Sequence, residues 1–108
     1  MKRRWLIALL MLSGCSGEKP LPPLASGLPS DVHQAEAEFN RRVGQSFPIG
    51  TPVADVGSRL SAQGFVVGAS GAELKRTHFP CETRWSVRWA TEAGRLTKVE
   101  GIFGYVCP

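Results

Sequence analysis

The chain has 108 residues, 13 Lys+Arg, 9 Asp+Glu and a formal net charge of +4. That length holds one small domain and excludes a large multi-domain enzyme. Lys2, Arg3 and Arg4 supply three of the four surplus charges, so the excess belongs to the N-terminus and not to a nucleic-acid-binding surface.

Those three residues precede an apolar run, Trp5 to Leu12, and the small residues Ser13 and Gly14. A positive segment, a short apolar core and small residues make a secretory signal. The run is too short for a membrane span, which needs about 20 apolar residues. Leu12-Ser13-Gly14-Cys15 resembles the lipobox of bacterial lipoproteins. In that family the cysteine is lipidated at sulfur, the chain is cut before it, and the new N-terminus is acylated. The resemblance implies a signal peptide over 1–14, a lipid on Cys15 and attachment to a bacterial membrane. A residue other than Asp after the cysteine, here Ser16, implies the outer membrane, with the domain facing the periplasm; the inner membrane is the alternative. Processing leaves 94 residues with a net charge of +1.

Ser16 to Pro29 contains Pro20, Pro22, Pro23 and Pro29, half of the eight prolines, and shows no apolar period. With Cys15 it reads as a tether over 15–29, of which Gly17–Pro29 reach about 40 Å if fully polyproline-like. The folded domain is expected over 30–108. Helix signals follow. Ser30 is expected to cap a helix from Asp31 to Val43, with Val32, Ala35, Phe39 and Val43 as its apolar stripe and Gly44 as its end. Thr51 is expected to cap a second helix with Pro52 in its first position and Val53, Val56 and Leu60 inward; Gly64 terminates it and Phe65 returns to the core.

The last third alternates polar and apolar residues, as strands do. Strands are expected over Glu82–Ala90 and Leu96–Val106, turning near Ala93-Gly94-Arg95, with a further strand within Ala72–Phe79. Cys81 and Cys107 lie in a chain bound for an oxidising compartment, where they are expected to form a disulfide. That pairing sets Arg88 opposite Glu100 and Trp89 opposite Val99. A register shifted by two would set Arg88 against Lys98, an unfavourable like-charge pair. One face then holds Trp85, Val87, Trp89, Val99, Phe103 and Tyr105. The other holds Arg84, Ser86, Arg88, Lys98 and Glu100.

The expected fold is α+β: two N-terminal helices on one face of an antiparallel sheet of about three strands, with a disulfide between the last two. This layout, with Gly50-Thr51, Val56 and Leu60, resembles small outer-membrane lipoproteins of the SmpA/OmlA type. Where that family has Leu-Gly-x-Pro after the helix, this chain has Ala62-Gln63-Gly64-Phe65. The resemblance implies a role in outer-membrane protein assembly or envelope integrity.

Trp85 and Trp89, about 13 Å apart on a strand, are core if helices cover them and a platform for a ligand if not. Arg84, Arg88 and Lys98 are the candidate partner surface, facing a protein, lipid headgroups or an acidic polymer. Alternation keeps them off the aromatic face, which argues against nucleic acid. His33 and His78 are isolated, no ligand spacing joins them to the thiols, and no metal or cofactor site is expected. No catalytic constellation is visible, and Ser58 lacks the G-x-S-x-G context of a nucleophile elbow. The expectation is a non-catalytic binding or scaffold domain with an unidentified envelope protein as partner. The alternative is an inhibitor or immunity lipoprotein acting on a cell-wall hydrolase or toxin.

Overall fold

The computed structural model describes residues 20–108; the expected signal peptide over 1–14, Cys15 and residues 16–19 lie outside the described residues. Two helices, α1 (Val32–Ser46) and α2 (Val53–Ala62), precede four strands: β1 (Val66–Val67), β2 (Gly71–His78), β3 (Cys81–Glu92) and β4 (Arg95–Val106). The strands form one antiparallel sheet in the order β1-β2-β3-β4. The α+β class and the disulfide are as expected; the sheet has four strands rather than three. The added strand is a two-residue continuation of Phe65, too short for any alternation to reveal.

Asp31, not Ser30, caps α1: its Oδ1 accepts from the N–H groups of His33 and Gln34 at 2.8 and 3.3 Å. The helix also continues through Gly44 to Ser46, because its end is fixed by Phe47. That ring is fully buried, and its N–H donates to Val43 O at 3.0 Å. Pro52 occupies the cap of α2 instead of its first turn, and no side chain caps this helix. Thr51 Oγ1 donates instead to Pro48 O at 2.6 Å. At the other end Gly64 adopts φ +93°. The Phe65 N–H reaches back to Leu60 O and the Gly64 N–H to Ser61 O, each at 3.0 Å, a Schellman closure that delivers Phe65 to the core.

β3 and β4 pair in the expected register, with Arg88 opposite Glu100, Trp89 opposite Val99 and Glu82 opposite Val106. Cys81 and Cys107 are disulfide-bonded. Ala93 and Gly94 both have positive φ, the backbone of a two-residue hairpin turn. The ladder shifts between Ala90 and Thr91, leaving Thr97 without a partner. This bulge reverses the parity of β4, so Leu96 points inward and is buried instead of joining the polar face.

Both helices cover the same face. Phe39, Val43, Phe47, Val56, Leu60 and Phe65 pack against Leu74, Trp85, Val87, Trp89 and Leu96. Trp85 and Trp89 are therefore core residues, and their indole N–H groups find no acceptor among the described residues. Trp85 also packs against Phe103, with ring centroids 5.8 Å apart. Val99 and Phe103 are half-buried, while Tyr105 is exposed.

The segment expected as a free tether is part of the domain from Pro20 onward. Ala25 N–H and Ser26 N–H both donate to Pro22 O, making a turn that places Leu24 and Ala25 in the core. Leu24 N–H donates to Gln63 Oε1 at 3.1 Å. Arg42 Nη1 donates to Pro23 O and Ser26 O at 3.1 and 2.6 Å, and Glu38 holds the same guanidinium at 2.9 Å. Proline content alone suggested an extended chain. The leucines between the prolines bury enough apolar surface to fold it back.

Candidate functional site

The sheet's two faces differ in kind. One is sealed by helices and the N-terminal turn. The other alternates outward: Val66, Glu73, Lys75, Arg84, Ser86, Arg88, Lys98 and Glu100 occupy it, as parity requires. Arg84, Arg88 and Lys98 do lie on this uncovered face.

They do not form one cluster. Arg84 sits about 13 Å along β3 from Arg88 and is held by Glu82, with Nη2–Oε1 2.8 Å and Nε–Oε1 2.9 Å. That hydrogen bond raises the Arg84 guanidinium above its ordinary pKa. Arg88 and Lys98 border a small depression of about 170 Å³ near the hairpin turn. Arg88 also borders a larger concavity of about 630 Å³ over β1, β2 and β3.

The larger concavity is the candidate site. Val66, 77% exposed, forms an apolar wall. Gly71 lies in the floor, where the absence of a side chain is required: a Cβ there would approach Val87 O to 2.8 Å. Lys75 and Arg88 stand on the rim, and Glu73 and Ser86 lie between them. Ser86 Oγ donates to Glu73 Oε2 at 3.4 Å. Among the described residues neither Lys75 nor Arg88 has a salt-bridge partner. Arg88 faces Glu100 across the ladder, but the pair does not close to contact. Two unneutralised cations beside a carboxylate, a hydroxyl and an apolar wall suit an extended polypeptide carrying an acidic side chain.

Lys75 and Val66 escaped the sequence reading. Lys75 lies on a strand that composition marked only loosely, and Val66 on one it did not mark. Their signal was the pairing of β2 with β3, which sets Lys75 opposite Arg84 and Glu73 opposite Ser86. On the sheet's other side, β2 from Leu74 to His78 receives no neighbouring strand among the described residues.

His33 lies on α1, bordering a groove against β4, and His78 ends β2. No group of three or more His, Cys, Asp or Glu among the described residues is placed to hold a metal ion, and no described helix is long and apolar enough to cross a membrane. Compared with known proteins, the chain matches no family model, no curated protein and no solved structure.

Proposed function

We propose that this is a small lipid-anchored envelope protein whose domain faces the periplasm from the outer membrane and acts by binding a protein partner, in outer-membrane assembly or envelope integrity. Cys15 is the anchor and the domain is non-catalytic. The observation that carries the binding reading is the concavity of about 630 Å³ on the uncovered sheet face, with Lys75 and Arg88 unneutralised at its rim. The lipobox-like residues before it support the location.

Photo-crosslinking from position 66 or 86 in intact envelopes tests the reading. A discrete protein adduct is expected, and Arg88→Glu should abolish it. No adduct above background from either position would overturn the binding site. An adduct with a cell-wall hydrolase would assign the domain to inhibition instead of assembly.

A further inference from the structure

Three of the large apolar side chains left outside the core, Phe79, Tyr105 and Val106, lie toward one end of the sheet. The Phe79–Pro80 turn joins β2 to β3 there, and Glu82 sets Val106 beside it across the ladder. Phe79 is 94% exposed, Tyr105 54% and Val106 56%. The opposite end, the Ala93–Gly94 turn flanked by Glu92 and Arg95, carries no exposed aromatic ring among the described residues; its exposed apolar side chain is Ile49, next to Gly50, which bonds Leu96 and Arg95. An isolated apolar residue on a surface is ordinary, but an almost fully exposed aromatic ring at a turn, with Tyr105 and Val106 at the same end of the sheet, marks a contact surface.

The path of the chain says which surface it meets. Arg76 Nη2 donates to Pro20 O at 3.5 Å, so the described chain begins beside the outer half of β2. Arg76 is three residues from Phe79, about 10 Å along a strand. Cys15 precedes Pro20 by five residues, which span at most about 18 Å. A lipid on Cys15 therefore holds this end of the sheet, and not the other, within reach of the bilayer. Lys75, Arg76 and Arg84 lie on β2 and β3 behind the tip, with Arg84 paired to Glu82.

We propose that the Phe79–Pro80 turn, with Tyr105 and Val106, is a membrane-docking tip that enters the headgroup–acyl boundary of the bilayer bearing the Cys15 lipid. The proposal rests on Cys15 being the anchor. Phenylalanine and tyrosine suit this depth, the apolar ring inward and the phenol at the wet boundary. The acyl chains hold the protein on the membrane, and the tip sets its orientation. The domain then stands on its sheet end, with the Glu73–Ser86 concavity at most about 20 Å above the headgroups, six strand residues from the tip.

The lipidated chain, purified from membranes, is reconstituted into vesicles of phosphatidylethanolamine and phosphatidylglycerol with brominated acyl chains. Phe79→Trp is read against the parent, whose Trp85 and Trp89 supply the background, and against Val66→Trp on the concavity. Phe79→Trp is expected to add blue-shifted emission that the brominated lipid quenches, and Val66→Trp emission that it does not. Equal quenching at the two positions, or none at 79 in protein that floats with the vesicles, overturns the tip. The mass of the N-terminal peptide reads lipidation separately. An unmodified Cys15 is thus a failure of the anchor, and an unquenched Phe79→Trp signal on modified protein is a failure of the tip.

Discussion

Asn40 on α1 closes the outer edge of the sheet at Gly101: its Oδ1 accepts the Gly101 N–H at 2.8 Å. One helical turn earlier, Glu36 Oε2 accepts from Phe103 N–H at 3.4 Å. Farther along β4, Leu96 exchanges hydrogen bonds with Gly50 and Thr51 of the interhelix loop. The edge strand is thus occupied by side chains and loop, which blocks strand-to-strand aggregation there. Gly101 permits the arrangement because α1 lies almost on its backbone. A Cβ would sit 2.8 Å from Val43 Cγ2, 2.9 Å from Phe39 Cδ2 and 3.1 Å from Asn40 Cα. Gly101→Ala should therefore destabilise the domain by about 1–3 kcal/mol, measured by denaturant unfolding. Gly104→Ala, with nothing within 4 Å of the added atom, is the control and should change little. Equal effects would contradict the close approach.

Arg42 fastens the N-terminal turn through Pro23 O and Ser26 O. Arg42→Met keeps most of the stem and removes the donors. It should cost about 2 kcal/mol and open residues 20–29 to limited proteolysis, while the rest of the domain stays resistant. Leu24→Ala should cost about 2–3 kcal/mol for the same turn. Cleavage in 20–29 at the parent's rate in both variants would mean that the turn is not docked.

The Glu38 carboxyl is lowered from 4.5 to about 2, first by the hydrogen bond from Arg41, then by that from Arg42. A lowered carboxylate stabilises the fold above its unfolded-state value, and that contribution disappears as pH falls through the folded value. The difference in Tm between the parent and Glu38→Gln should be widest above pH 4.5 and close toward pH 2. A difference that stays constant over this range would refute the coupling.

Cys81 and Cys107 are 26 residues apart. Closing a loop of that size removes unfolded-state entropy worth about 3.5 kcal/mol in the chain-entropy model. The Cys81→Ser, Cys107→Ser double variant should melt well below the oxidised parent and close to the parent under reductant. Coincident melting of oxidised and reduced parent would contradict a structural bridge.

The hairpin was legible in the sequence because two cysteines, strict alternation and a charge pair all fixed the same register. Leu96 was not, since a bulge at Thr97 reverses parity through hydrogen bonding that no residue type announces. The helices were readable from their stripes. Their ends were misplaced where Asp31 competed with Ser30, and where burial of Phe47 drew α1 past Gly44. In the N-terminal segment the prolines pointed to an extended chain, and the turn at Pro22 that buries Leu24 and Ala25 was not read from the sequence. The outward face of Arg84, Arg88 and Lys98 followed from parity. The concavity did not, because it depends on β1 lying beside β2 and on the glycine floor between them.

Fractionation of cells expressing the parent and Cys15→Ser tests the anchored reading most directly. The parent should float with the outer membrane and carry labelled fatty acid. Cys15→Ser should lose the label and move to the soluble fraction or remain as unprocessed precursor. A Cys15→Ser protein that is cut normally and still floats with the membrane would contradict the account.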